Sequence, residues 1–207
     1  MTTKYQFQEL RSQILLDLHP AYPPELSKYE GSSCLGEVVF GNPLPHPNSV
    51  LDLFVTCKIT FALPFAYYRV CIAGDPASLE TADAKLALTP DTLKAALRGQ
   101  TQLKAEEVQL AKKLVVPDCI SQHPCSGKLP VGRTQVFDWI HPEVATKSGI
   151  LEKGVFPESG YCIQCRDFFK QELSNANEGT WKNLPTYFSL SSWKNAANRS
   201  TWFFSFF

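Results

Sequence analysis

The sequence lacks a surplus of charge of either sign, because its 20 basic and 20 acidic side chains cancel. No block of about five like charges occurs along the chain. Nucleic acids and anionic lipid surfaces attract proteins through a concentrated positive field, which this composition does not supply. We therefore expect no nucleic-acid or membrane partner, and we expect a protein partner that is recognised by shape.

Long apolar runs and a secretory leader are also missing. A membrane-spanning helix needs about eighteen uninterrupted apolar residues, and no stretch approaches that length. The N-terminus, MTTKYQFQEL, lacks the charged and apolar regions of a leader. These absences predict a soluble intracellular protein, cytoplasmic or nuclear. Without a leader, seven cysteines, an odd number, indicate reduced thiols or metal ligands and not a disulfide framework.

The sequence contains no motif that is specific for catalysis. It has no G-x-S-x-G, no G-x-G-x-x-G and no Walker loop. A nucleophilic role for Cys165 would need a histidine and an orienting partner, and neither can be identified. We therefore expect a protein that is not an enzyme.

Apolar spacing predicts a mainly α fold. Near-helical periodicity predicts a first helix from Tyr5 to Leu18, and a short helix is expected from Glu25. Residues 50–73 are apolar around much of their circumference, but Lys58, Thr60 and Pro64 interrupt them. This stretch predicts two packed helices that form the core.

Two further helices are predicted in the second half of the chain. Thr89 can cap free amides, Pro90 suits a first helical position, and the apolar stripe that follows predicts a helix to about Leu114. Gly99 weakens the middle of that helix. A final helix is predicted from about Cys162, either continuing or restarting before it ends at Pro185.

Between these two helices, residues 115–160 contain five prolines and five glycines. A compact domain seldom carries so long a loop unless something orders it. One close cysteine pair, Cys119 with Cys125 in CISQHPC, lies near the start of the loop, and a second, Cys162 with Cys165 in YCIQC, follows its end. Four thiolates at a helix N-terminus can bind one tetrahedral zinc ion. The sequence therefore predicts an irregular helical domain whose long Pro/Gly-rich loop is stapled by a structural zinc.

Other interpretations of the cysteines stay open. They can be ordinary thiols, as we expect for Cys34, Cys57 and Cys71, of which Cys57 and Cys71 lie in apolar helical sequence and should pack as small hydrophobic residues. His123 can also replace Cys119 or Cys125 as a ligand. The pattern of His141, Glu143, Cys162 and Cys165 imitates a zinc-dependent hydrolase or deaminase, although Tyr161 replaces the expected proline. A zinc module that binds nucleic acid is a third alternative, which would need a clustered basic face.

Four segments, taken in order, carry a resemblance that runs from Lys4 to Trp193. They are KYQFQELRSQILLDLHPAYP, VLDLFVTCKITFALPFAYYRVC, LTPDTLKAALRGQTQL and CIQCRDFFKQELSNANEGTWKNLPTYFSLSSW. Together they resemble the helical and cysteine-rich region that follows the BTB/POZ fold in fungal, mainly mushroom-type, BTB domain-containing proteins. The resemblance implies an adaptor or regulatory interaction protein whose first helix would leave the BTB core. That core is missing before Met1, so the resemblance does not extend to dimerisation or cullin binding.

These observations predict three parts of the chain. Residues 1–115 form a helical region that resembles the segment after the BTB fold, and residues 116–195 form the cysteine-rich loop with the C-terminal helix. Residues 196–207 carry five aromatic residues among the final six positions. We interpret this aromatic tail as the product of a mistaken gene boundary.

Overall fold

The described part of the chain is mainly helical and forms four helices, with no strand among its residues. They are α1 (Pro47–Thr56), α2 (Leu63–Ala73), α3 (Pro90–Leu114) and α4 (Ile163–Tyr187). The computed structural model describes residues 9, 13, 16, 22, 23, 25–27, 46–73, 88–114, 151 and 162–193. The predicted mainly α class is confirmed, and none of the described helices is long and apolar enough to cross a membrane.

The prediction of two helices within residues 50–73 is confirmed. Helix α1 begins after His46, whose Nδ1 accepts a hydrogen bond from the Asn48 amide at 3.3 Å. It ends where Lys58 adopts a left-handed φ of 55°, so that the Ile59 amide donates to the Phe54 carbonyl at 2.9 Å. This chain reversal separates α1 from α2 and places Ile59 in the core.

Helix α2 lies at the centre of the bundle, because α1, α3 and α4 all pack against it. Phe65 and Tyr68 are fully buried, and Tyr67 is only 5% exposed. The Phe65 ring lies 5.8 Å from Tyr68 and 5.6 Å from Trp181 of α4. Aromatic contacts of this kind explain why the predicted core segment is apolar on nearly every side.

The predicted start and end of α3 are both confirmed. The Thr89 hydroxyl accepts from the Thr92 amide at 3.3 Å, Pro90 is the first helical residue, and the helix ends at Leu114. Its predicted stripe faces the bundle, with Ala96, Leu103, Ala111 and Leu114 buried. Gly99, Gln100 and Leu110 are also buried, which the spacing of apolar residues did not indicate.

Helix α4 continues without a restart to Tyr187, two residues beyond the predicted end at Pro185. It packs against both α3 and α2. The next residue, Phe188, is 1% exposed and stacks on Tyr67 of α2 with ring centroids 4.9 Å apart. Its ring also lies against the backbone of α3 at Gly99, where a Cβ atom would overlap Phe188 Cε1 and Cδ1. Gly99 therefore creates the space that the end of α4 fills.

Several sequence predictions fall wholly or mostly outside the described residues. Of the predicted first helix only positions 9, 13 and 16 are described, and these are helical and exposed. Of the loop 115–160 only Leu151 is described, a buried residue whose amide donates to the Tyr68 hydroxyl at 3.2 Å. The aromatic tail 196–207 lies outside the described part.

We predict opposite effects for the same substitution at two glycines. Gly99→Ala should lower the free energy of unfolding by about 1–3 kcal/mol, because the added methyl group displaces the buried Phe188 ring. Gly179→Ala is the matched control in α4, where a Cβ atom would meet nothing within 4 Å. It should raise stability by about 0.5–1 kcal/mol through helix propensity alone. Urea denaturation measures both, and a stabilising Gly99→Ala would contradict the packing described here.

Candidate metal centre

The proposed ligand Cys162 is the N-cap residue of α4. Its backbone is extended, with φ −67° and ψ 159°, and its carbonyl accepts from the Arg166 amide at 3.1 Å. Its Sγ accepts from the Cys165 amide at 3.5 Å, so sulfur occupies the place that a serine or aspartate oxygen takes in a usual N-cap. The N-terminus of a helix, with its free amides and positive dipole end, is in general a favourable place for a thiolate ligand.

The second proposed ligand, Cys165, lies one turn further along the helix and is fully buried. Cys162, by contrast, is half-buried at the edge of the core. The C-x2-C pair therefore supplies two sulfurs from a single helix turn, one within the core and one at its boundary. This donor set suits zinc, which binds thiolate pairs from such short spacings.

The remaining proposed ligands cannot be placed beside this pair. Cys119, Cys125 and the alternative ligand His123 lie outside the described residues, as do His141 and Glu143 of the hydrolase alternative. Within the described ranges, no group of three or more His, Cys, Asp or Glu residues could bind a metal ion. The structure thus describes half of the predicted centre, and the four-thiolate site stays a prediction.

Two cysteines that the sequence assigns to packing have different environments. Cys71 in α2 is buried as expected, its thiol donates to the Ala96 carbonyl of α3 at 3.4 Å, and burial raises its pKa to about 12. Cys57 is exposed, because it is the C-cap of α1 and not an interior helical residue. The expectation that Cys57 is a packed hydrophobe was therefore wrong. The surrounding segment is largely apolar, but Thr56 and Lys58 flank Cys57 directly, and the left-handed φ of Lys58 ends the helix at this point.

Sequence reasoning also missed a polar contact between α3 and α4. The Tyr187 hydroxyl donates to Glu106 Oε1 at 3.0 Å. Burial and the neighbouring Glu106 carboxylate raise the pKa of Tyr187 to about 12. Burial also raises the pKa of the adjacent Glu107, partly offset by Lys104. No spacing in the sequence relates residues this far apart, so this contact has no local signal.

Comparisons with known proteins do not identify the chain. No family model matches it, and no curated protein and no solved structure matches it either.

The capping geometry makes Cys162→Ser a direct test for a bound metal. Without a metal, serine is a better N-cap than cysteine, so stability should stay unchanged or rise by up to about 1 kcal/mol. With zinc bound, the same change removes a ligand and should cost at least about 2 kcal/mol. Urea denaturation of the protein as purified measures the difference.

Cys71→Ser is the control for exchanging sulfur for oxygen at a buried position that is not a proposed ligand. It should lower the free energy of unfolding by about 1–2 kcal/mol whether or not zinc is bound, because a hydroxyl is costlier to bury than a thiol. The cost stays limited, since the hydroxyl can still donate to the Ala96 carbonyl. A zinc site requires the Cys162 variant to be the less stable of the two. The opposite ranking would contradict metal binding at the start of α4.

Alkylation should distinguish Cys57 from Cys71, the two described cysteines that are not proposed ligands. Cys57 is exposed and should react with iodoacetamide within minutes at pH 8. Cys71 should react only on unfolding, because it is buried and its raised pKa of about 12 keeps it protonated. Peptide mass spectrometry identifies the modified sites. Equal rates at the two positions would show that α2 is more accessible than described.

Proposed function

We propose that this protein is a non-enzymatic interaction module of the adaptor type, in which a structural zinc bound by Cys119, Cys125, Cys162 and Cys165 orders the cysteine-rich segment. The observation that carries the proposal is the location of the C-x2-C pair. Cys162 and Cys165 form the first turn of α4, the helix that packs against both α2 and α3. A metal ion bound there would tie a distant part of the chain to the core of the bundle.

The electrostatics of the described residues support a scaffold. Burial is the main cause of the raised pKa of five described groups, which are Tyr22, Tyr67, Cys71, Glu107 and Tyr187. A catalytic nucleophile or base usually has a pKa tuned toward the working pH. Cys71 and Tyr187 are shifted the other way, each to a pKa of about 12, which makes both less reactive near pH 7 and fits a packing role. Glu107 differs from them, because burial raises the pKa of its carboxyl group toward neutral pH.

The proposed partner is a protein, and the ground for this is the resemblance to the region after the BTB fold in fungal proteins. Three of the four resembling segments correspond to structural units. One covers α1 and α2, the next covers the start of α3, and the last begins at the cap of α4. Three of the resembling segments therefore coincide with helices that pack in the bundle. Nucleic acid is not proposed as a partner, and neither dimerisation nor cullin binding is part of the proposal.

Metal analysis and chelation test the proposal directly. We expect about one zinc per chain in purified protein, and a loss of circular dichroism signal and of stability when a chelator removes it. The energetic scale is large, since structural zinc contributes roughly 10–16 kcal/mol of apparent binding energy in small zinc-finger peptides. Because the hydrophobic core extends through α1, α2 and α3, well beyond the cysteine pair, part of the helical signal should remain after chelation.

Cobalt substitution then distinguishes the ligand sets. Four thiolates give an intense sulfur-to-cobalt absorption typical of all-sulfur tetrahedral sites, whereas the hydrolase alternative, with His141 and an open position for water, gives mixed ligation. Protection of Cys119, Cys125, Cys162 and Cys165 from iodoacetamide until chelation is the matching chemical result. Absence of metal, or a chelator without effect on these thiols, would refute the zinc centre. Binding of a labelled oligonucleotide at low salt would instead favour a nucleic-acid module.

A further inference from the structure

Pro185 lies inside the last turn of α4 and changes the hydrogen bonding of that turn. In an α-helix each amide donates to the carbonyl four residues earlier, and proline has no amide hydrogen to donate. The carbonyl affected by Pro185 belongs to Trp181. Pro185 therefore cannot supply the donor that the helical ladder would provide to Trp181 O.

Trp193 supplies such a donor. Its indole Nε1–H donates to the Trp181 carbonyl at 2.7 Å, and its ring stacks on the Trp181 ring with centroids 5.3 Å apart and planes 10° from parallel. One residue, Trp181, thus provides both the acceptor and the stacking surface. The Trp181 ring also lies 5.6 Å from the Phe65 ring of α2, so Trp181 contacts both the core and Trp193.

The chain between these tryptophans reverses direction at a defined point. Ser189 has a left-handed φ of 59°, its amide donates to the Thr186 carbonyl at 3.1 Å, and the Leu190 amide donates to the Pro185 carbonyl at 2.8 Å. This helix-ending motif directs the chain back along α4. Arg98 of α3 adds a hydrogen bond to Ser189 Oγ at 2.9 Å. The turn thereby positions Trp193 over Trp181.

Residues 189–193, here called the strap, differ in burial from the helix that they cover. Ser189, Ser191 and Ser192 are exposed, and Trp193 is half-buried. Phe188 immediately before the strap is 1% exposed and is anchored on Tyr67 and Gly99. Leu190 and Trp193 pack against the core, but no residue of the strap is fully buried. Such a segment opens at a lower free-energy cost than the core to which it is attached.

We propose that the strap is a conformational latch, closed when the Trp193 indole donates to the Trp181 carbonyl, to which Pro185 cannot donate, and able to open without unfolding of the helical bundle. Phe188 is the buried residue that anchors the strap to the bundle, and the backbone at Ser189 is where the strap rotates. Opening uncovers the Trp181 ring, which is 6% exposed in the closed state, together with its carbonyl. The strap therefore controls access to an aromatic surface that is connected to the core.

Hydrogen exchange of the indole N–H tests whether the latch forms and opens. In 15N-labelled protein, the Trp193 indole signal is assigned by its loss in Trp193→Phe. We expect its exchange to be at least roughly tenfold slower than that of an unprotected indole, and faster than exchange of the buried backbone amides of α2. An unprotected Trp193 indole would show that the latch does not form. Exchange only through global unfolding would show that the strap does not open separately.

A double-mutant cycle tests the role of Pro185. Trp193→Phe keeps a stacking ring but removes the donor, and it should raise the unfolding equilibrium constant roughly fivefold in the parent protein. In a Pro185→Ala background, residue 185 has its own amide to donate to the Trp181 carbonyl. The same Trp193→Phe change should then have a clearly smaller effect, because the carbonyl keeps a donor.

Gly179→Ala provides the matched control background, because it adds a helix-favouring alanine to α4 without adding an amide at position 185. There Trp193→Phe should have the same effect as in the parent. Circular dichroism first establishes that every variant is folded. Equal effects of Trp193→Phe in the parent, Pro185→Ala and Gly179→Ala proteins would overturn the role assigned to Pro185. Loss of indole protection in Pro185→Ala would support that role through an independent measurement.

Discussion

The burial of α2 on nearly all sides is the constraint on which the rest of the bundle depends. An apolar helix with Phe65, Tyr67 and Tyr68 inside must be covered, and α1, α3 and α4 provide the cover. Each of them contributes aromatic or aliphatic side chains to the shared core, and Thr92, Gln100 and Thr180 are polar residues buried among the described helices. Removing this apolar surface from water is the main favourable contribution to the stability of such a bundle.

Two residues that normally weaken helices have specific structural roles around the end of α4. Gly99 lacks a side chain where the Phe188 ring must contact the α3 backbone, so a local cost in helix propensity allows close packing between α3 and α4. Pro185 lacks an amide hydrogen, and Trp193 donates to the carbonyl that would have received it. In both cases a feature that looks unfavourable within one helix is compensated by a contact from elsewhere in the chain.

For the candidate metal centre, the sequence predicted only the local placement of two of the four proposed ligands. The spacing of Cys162 and Cys165 and their place at the start of a helix follow from local pattern, and the structure agrees with that placement. Whether Cys119 and Cys125 approach them is a question of long-range chain path, which spacing does not determine. The error at Cys57 has a different, local origin, since this residue is the C-cap of α1 and lies at the end of the helix instead of within it.

The sequence by itself determined the helical class, the two-helix division of residues 50–73, and the cap of α3 at Thr89, because periodicity, proline position and capping act over one or two turns. The tertiary structure alone decided the fit of Phe188 against Gly99, the Tyr187 to Glu106 hydrogen bond, and the stacking of Trp193 on Trp181. These contacts join groups brought together only when the helices pack and the chain reverses, and their geometry depends on the positions of several elements at once.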